Sequence, residues 1–167
     1  GSHYAEVVDP SSFAQIFPST SVPQVHIAQA LATMRVLGEA IRNGWVRSCH
    51  DLSEGGLVVA AAEMSLAGLT GLTLNIDRLG VKGSSGLGHD ASTLVKLFSE
   101  SPSRFLVEIT PEQLGSFEKH MRLSGIKEVT YVGAVTHTSR FVVQDGSDEL
   151  IQLSIDELQE AWKGGRV

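Results

Sequence analysis

The segment that most restricts the fold is Leu57-Val58-Val59-Ala60-Ala61-Ala62-Glu63-Met64-Ser65-Leu66, a helix-like run that is apolar on nearly every side. A helix with no polar face has to be buried, so a sheet and a further layer are expected to enclose it. Glu63 is the polar exception and reads as a paired carboxylate, not a catalytic one.

The residues that lead into this run carry the candidate site. Trp45 to Cys49 is short and apolar and reads as a strand, followed by His50-Asp51-Leu52-Ser53-Glu54-Gly55-Gly56 and a helix expected from Glu54 to about Ala67. A strand-turn-helix junction leaves main-chain N–H groups unpaired at the positive end of the helix dipole, and a glycine pair lets a ligand approach them closely. That combination suits a phosphate. Ser53 is the expected N-cap, with Glu54 in the first turn. His50 and Asp51 are expected to line the approach. The plainer reading is a capped helix entry in which Asp51 makes an Asx-turn and His50 is a structural donor. Cys49 and His50 alternate along the strand, so Cys49 is expected to be a small buried thiol beside an outward histidine.

His50-Asp51-Leu52-Ser53-Glu54-Gly55-Gly56-Leu57 resembles the H-D-x-S-(D/E)-G-G-L signature in the C-terminal domain of the phosphoribosylformylglycinamidine synthase family. Asn43-Gly44-Trp45-Val46, Ala62-Glu63-Met64, Phe98 to Glu108 and Val132-Gly133-Ala134-Val135 follow that family's order. The resemblance extends from roughly residue 24 to residue 162.

Composition agrees with a single domain. The chain has 167 residues, 42% hydrophobic and 19% charged, which is enough apolar material for a core and argues against disorder. No apolar run reaches the roughly 20 residues needed to cross a bilayer. A formal net charge of -6, without a basic stripe, argues against nucleic-acid binding. The single cysteine excludes an internal disulfide and a multi-cysteine zinc site, consistent with a reducing cytoplasm. Gly1-Ser2-His3 resembles a tag-cleavage scar and suggests a cut piece of a longer protein. Residues 1–23, with Pro10, Pro18 and Pro23, read as this remnant plus an extended arm; residues 24–167 read as one domain.

Along that domain, Ile27, Leu31, Met34, Leu37 and Ile41 recur at helical spacing, and Gly44 supplies the stop; the stripe is expected in the core. Leu72, Leu74 and Ile76 mark a half-buried strand. Gly80 to Asp90 is rich in glycine but lacks nucleotide-loop spacing, and reads as a mobile insertion. A short helix from about Ala91 to Ser99 precedes a strand from Arg104 to Thr110, where Phe105, Val107 and Ile109 share a face. Arg104 is placed to pair with an acid or to reach a ligand phosphate. Thr110-Pro111 opens a helix with Leu114, Phe117 and Met121 on one side and His120 on the surface. Strands at Glu128–Val135 and Arg140–Gln144 are joined through Thr136 to Ser139 as a hairpin, a third strand follows Asp145-Gly146, and Ser154 with Glu157 forms a capping box.

The expected fold class is α/β, a layered α/β/α sandwich on a mixed sheet. The resemblance implies likeness to the C-terminal domain of aminoimidazole ribonucleotide synthetase, with partial ferredoxin-like topology. It further implies a role in the ATP-, magnesium- and glutamine-dependent conversion of formylglycinamide ribonucleotide to its amidine in purine biosynthesis. By that implication the nucleotide and metal ligands and the catalytic residues lie in upstream ATP-binding domains of the same enzyme, a glutaminase domain or subunit is a partner, and the isolated fragment is inactive. This piece would hold a phosphate through His50, Asp51, Ser53, Gly55, Gly56 and Arg104, with no metal site of its own. Alternatives stay open: a self-standing phosphate-binding or regulatory module, the matching domain of a related enzyme of the aminoimidazole ribonucleotide synthetase superfamily, and a purely structural scaffold.

Overall fold

The computed structural model of the chain describes residues 24–80 and 88–164. The expected N-terminal arm and most of the glycine-rich insertion lie outside the described residues. In chain order the elements are α1 (Ile27–Arg42), β1 (Ser48–Asp51), α2 (Gly56–Gly68), β2 (Gly71–Asn75), α3 (His89–Phe98), β3 (Phe105–Glu108), α4 (Pro111–Leu123), β4 (Gly133–Thr136), β5 (Arg140–Asp145), β6 (Asp148–Ser154) and α5 (Ile155–Trp162). The sequence of helices and strands is the one that the hydrophobic periodicities predict.

The larger sheet is mixed, with strand order β4-β2-β5-β6. β2 runs antiparallel to β4 and parallel to β5, and β5 and β6 form an antiparallel hairpin with a register irregularity after Val143. The expected hairpin between β4 and β5 is therefore corrected, because β2 lies between them. Their connection has to cross the start of β2, which is why Gly71 sits there: a Cβ on it would collide with the Thr138 carbonyl. The expected strand at residues 128–135 also shortens, beginning only at Gly133.

β1 and β3 form a separate two-stranded antiparallel ribbon, in register from Ser48 opposite Glu108 to Asp51 opposite Phe105. Its two faces serve different cores. Leu106 packs with Leu52, Leu57 and Leu97 in the main core, which α2 shares with Leu72, Leu74, Phe141 and Val143 of the sheet. Phe105, Val107 and Ile109 face the other way, onto Val36, Leu37, Phe117 and Met121 of α1 and α4. Period-two alternation in β3 thus feeds both cores at once. Fully burying each such side chain stabilises the fold by about 1.5–3 kcal/mol. As its composition requires, α2 is covered on several sides, by β1, β3, the sheet, α3 and α5.

Helix α1 departs from expectation. Leu37 is buried, but Ile27, Leu31, Met34 and Ile41 are 70%, 63%, 51% and 46% exposed. The packed face is instead Ala30, Val36, Leu37 and Ala40. Small residues let α4 approach closely on that side, so the helix carries two apolar faces and periodicity alone does not say which is covered. His120 is likewise not a plain surface residue. It is half-buried under Trp45, with ring centroids 5.2 Å apart, and its Nε2 lies 3.1 Å from the Val36 carbonyl.

The capping box at α5 is present. Ser154 Oγ accepts from the Glu157 N–H at 3.1 Å, and Glu157 accepts in return from the Ser154 N–H at 2.7 Å. These bonds from the Ser154 backbone and hydroxyl hold the Glu157 carboxyl below its usual range.

Gly56, which has φ +66, packs directly against backbone. A Cβ there would lie 2.7–2.9 Å from the main chain of Leu97, Phe98 and Ser99. Those atoms belong to backbone and cannot rotate away. Gly56→Ala is expected to destabilise the domain by about 3 kcal/mol, read as a lower urea midpoint with an unchanged slope.

Candidate functional site

The motif residues sit where β1 gives way to α2. The chain leaves the ribbon at Asp51, and Leu52 extends the pairing by donating its N–H to the Arg104 carbonyl at 3.0 Å. That bond sets the loop at residues 52–55 beside the segment from Ser99 to Arg104. Between them lies a cleft of about 470 Å³ lined by Met34, Cys49, Asp51, Ser53, Glu100 and Arg104, with Ser101 and Ser103 on its rim. Ser103 holds a left-handed conformation, φ 62, that turns the chain into β3.

The expected anion cradle is corrected in its detail. α2 begins at Gly56, with Gly55 as the N-cap in a left-handed conformation, φ 78, and no side chain caps it. Ser53 contributes its carbonyl instead of its hydroxyl, accepting from the Gly56 N–H at 3.1 Å. The Gly55 N–H donates to Glu100 Oε1 at 2.9 Å. Both glycine amides are therefore taken up by the protein itself, and Gly56 is buried. The glycines are needed for a different reason. A Cβ on Gly55 would lie 2.3 Å from the Val59 side chain, and Gly56 abuts the 97–99 main chain. Gly56 is the contact by which α2 docks on the end of α3, and Gly55 leaves room for the Val59 side chain of α2 itself.

Strand alternation is also opposite to the expected phase. Ser48 and His50 point toward the body of the domain, whereas Cys49 and Asp51 are on the exposed face. The expected strand began at Trp45, but pairing begins with Ser48 opposite Glu108, where Ser48 Oγ donates to Glu108 Oε2 at 2.8 Å. Cys49 and Asp51 consequently line the cleft and His50 does not. His50 Nε2 lies 2.8 Å from Glu63 Oε2 on α2, and Nδ1 lies 2.7 Å from the Asp51 carbonyl. His50 thus ties β1 to α2, and Glu63 is the paired carboxylate that the sequence suggested.

Arg104 is the cation of the cleft. Its guanidinium donates to the Ser99 carbonyl at 3.3 Å. Burial pushes its pKa down from the usual value, yet an arginine remains charged at neutral pH. Of the sequence-proposed residues, the structure brings Asp51, Ser53 and Arg104 to one cleft; His50, Gly55 and Gly56 build its wall from behind. Glu100 is the residue that sequence reasoning missed. It lies 45 residues from its partner, and its only sequence signal is its place just before the Ser101-Pro102-Ser103 turn. Among the described residues no three His, Cys, Asp or Glu side chains cluster as a metal ion would require, and no helix is long and apolar enough to cross a membrane.

This architecture, a mixed sheet and a buried helix entered through a glycine pair, belongs to a recognisable class. The chain is a member of the family described as AIR synthase related protein, C-terminal domain, whose model matches residues 4–146. Within that family its likeness is to the domain of phosphoribosylformylglycinamidine synthase. The PurL subunit of that enzyme from Synechococcus elongatus is 35% identical over 125 residues, which covers 74% of this chain but only 15% of that protein. The structure of PurLQS from Thermotoga maritima has a TM-score of 0.72 at 20% identity, covering 85% of this chain and 23% of that one. T. maritima PurL complexed with ATP gives a TM-score of 0.65 at 20% identity, covering 76% and 21%. The same protein complexed with FGAR gives 0.66 at 21% identity, covering 77% and 20%. These structures share the fold.

Cys49 is accessible, but partial burial against the cleft wall raises its thiol pKa above the usual value, and the Asp51 charge adds to this. Alkylation by iodoacetamide at pH 7 is expected to be slower than for a free cysteine, rising only as the pH passes the ordinary thiol range. Asp51→Asn is expected to speed it by removing the second cause. Mass-spectrometric rates against pH test both.

Proposed function

We propose that this domain serves a phosphoribosylformylglycinamidine synthase and forms one wall of its ribonucleotide cleft. The observation that carries the reading is Arg104: a half-buried guanidinium beside Ser53, Ser101 and Ser103 in a cleft bounded by the family's signature loop. Arginine and hydroxyl donors lining one cleft suit a phosphate monoester, through charge-assisted hydrogen bonds. The 35% identity to a PurL subunit and the shared fold of a PurL bound to FGAR support formylglycinamide ribonucleotide as the ligand.

The phosphate is bound by side chains here, since the glycine amides are already engaged. Asp51, at the exposed end of β1, is placed to accept hydrogen bonds from ligand hydroxyl or amide groups. His50 and Glu63 keep β1 against α2, and Gly55 and Gly56 let α2 dock, so their part is to hold Ser53 and Arg104 in fixed relation. The domain thereby positions a substrate whose chemistry occurs elsewhere in the enzyme.

ATP and magnesium belong to the intact synthase, where ATP supplies the driving force for amidine formation. No cluster of metal-ligating side chains is found among the described residues of this domain, so no step is assigned to them here. Upstream ATP-binding domains and a glutaminase partner that delivers ammonia complete the enzyme, working in the cytoplasm. The chain by itself is inactive in this reading.

Arg104→Ala in the intact synthase is expected to raise KM for formylglycinamide ribonucleotide by about 10- to 100-fold, the loss of a charge-assisted hydrogen bond, with a smaller change in kcat. Arg104→Lys is expected to restore part of it. A folded Arg104→Ala enzyme with an unaltered KM rules out the phosphate role.

A further inference from the structure

Helix α1 carries an apolar face that the packing of the domain does not use. Its inner side, through Val36, Leu37 and Ala40, meets Phe117 and Met121 of α4. Ile27, Leu31, Met34 and Ile41 stand 46% to 70% exposed on another side. With Gly38 they fall on one line along the helix, in steps of four and three residues, which is the spacing of a seam between two helices. Gly38 is the position of that line without a side chain. Glycine weakens a helix interior relative to alanine, and the domain does not call for one here: a Cβ would meet only the tip of the Arg42 side chain, at an ordinary 3.5 Å. The notch at Gly38 therefore opens outward, where a large side chain from another element can enter.

We propose that this face of α1 seats an apolar helix from the part of the synthase that precedes this domain, and that the seated helix borders the ribonucleotide cleft at Met34. The proposal takes the identity of its partner from the functional reading above. Two observations favour this occupant over a second copy of the chain. The chain spans 15% of the length of the PurL relatives and matches a family described as a C-terminal domain, so a preceding portion is at hand, and it would enter at the end of α1 where Ile27 begins the seam. Four large side chains are also few for two free molecules, since stable interfaces draw on roughly 20–30 residues from each partner. A covalently joined partner needs less, because linkage raises its effective concentration. Met34 belongs to both surfaces, for it lines the cleft with Phe105 and Arg104.

Maleimide labelling tests this with no substrate present. Leu31→Cys and Met34→Cys, each at an exposed position, are introduced separately into the 167-residue chain and into the intact synthase. Peptide mass spectrometry follows the rate at that position apart from Cys49. In the 167-residue chain both are expected to react as free thiols, at a rate independent of protein concentration. In the synthase both are expected to react at least about 100-fold more slowly, because a covered thiol reacts only through opening. Gly38→Leu fills the notch and is expected to restore about tenfold of the rate at position 31 in the synthase, by overpacking the seat. In the 167-residue chain the same substitution is expected to leave the urea midpoint no lower, since leucine is the better helix former. Fast labelling at either position in the synthase, or protection that survives Gly38→Leu, overturns the proposal. Slow labelling already in the 167-residue chain overturns it too: a rate that rises on dilution makes a second copy the occupant, and one that does not makes it residues 1–23. Protection together with an unaltered KM in Arg104→Ala leaves this proposal standing while the phosphate reading falls, and the converse pattern leaves the phosphate reading standing alone.

Discussion

The fold depends on the close approach between the Gly55-Gly56 turn and the backbone that ends α3. At Gly56 the two main chains are too near for any side chain, and Glu100 binds the adjoining amide. This contact seats the apolar helix α2 against its neighbours, and burying α2 supplies much of the main core. It also decides which two loops face each other across the cleft. Stability and site geometry therefore share one interaction, which explains why a substitution there would disturb both. Packing accounts for both glycines: Gly55 makes room for Val59 and Gly56 for the backbone that ends α3.

The β1–β3 ribbon extends that contact into the rest of the molecule. One face belongs to the α2 core and the other to the core under α1 and α4, so the ribbon sets the two against each other. The cleft opens at the end of the ribbon where Asp51 pairs with Phe105. His50 to Glu63 and Ser48 to Glu108, from the same face of β1, brace the strands. A cleft wall made in this way is rigid because its residues are strand ends fixed from behind.

Family membership agrees with a division of labour. The chain spans 15% of the length of the first curated relatives that it matches, and its polar groups Asp51, Ser53, Glu100 and Arg104 line one cleft. Arg104, Ser53 and Glu100 are polar groups that the fold brings to one cleft. They define charge and shape, the two properties that one wall of a larger site can contribute.

Much of this was legible in the sequence because it follows from local periodicity. The element order, the all-round apolar α2, the Leu72-Leu74-Ile76 face, the Ser154–Glu157 capping box and the signature loop all depend on residues near one another in the chain. The pairing of Glu63 and the two-faced strand β3 were visible for the same reason. What only tertiary structure decided was which groups met across distance. Periodicity marked α1 as amphipathic but did not choose between its two apolar faces, because the choice lay with Phe117 and Met121. Strand phase placed Cys49 inward until pairing with β3 set the register that turns it out. The N–H of Gly55 looked free because its partner, Glu100, is 45 residues away. A sequence displays the donors and acceptors a chain carries, whereas their satisfaction depends on packing, and here packing gave the Gly55 amide an internal partner across two loops.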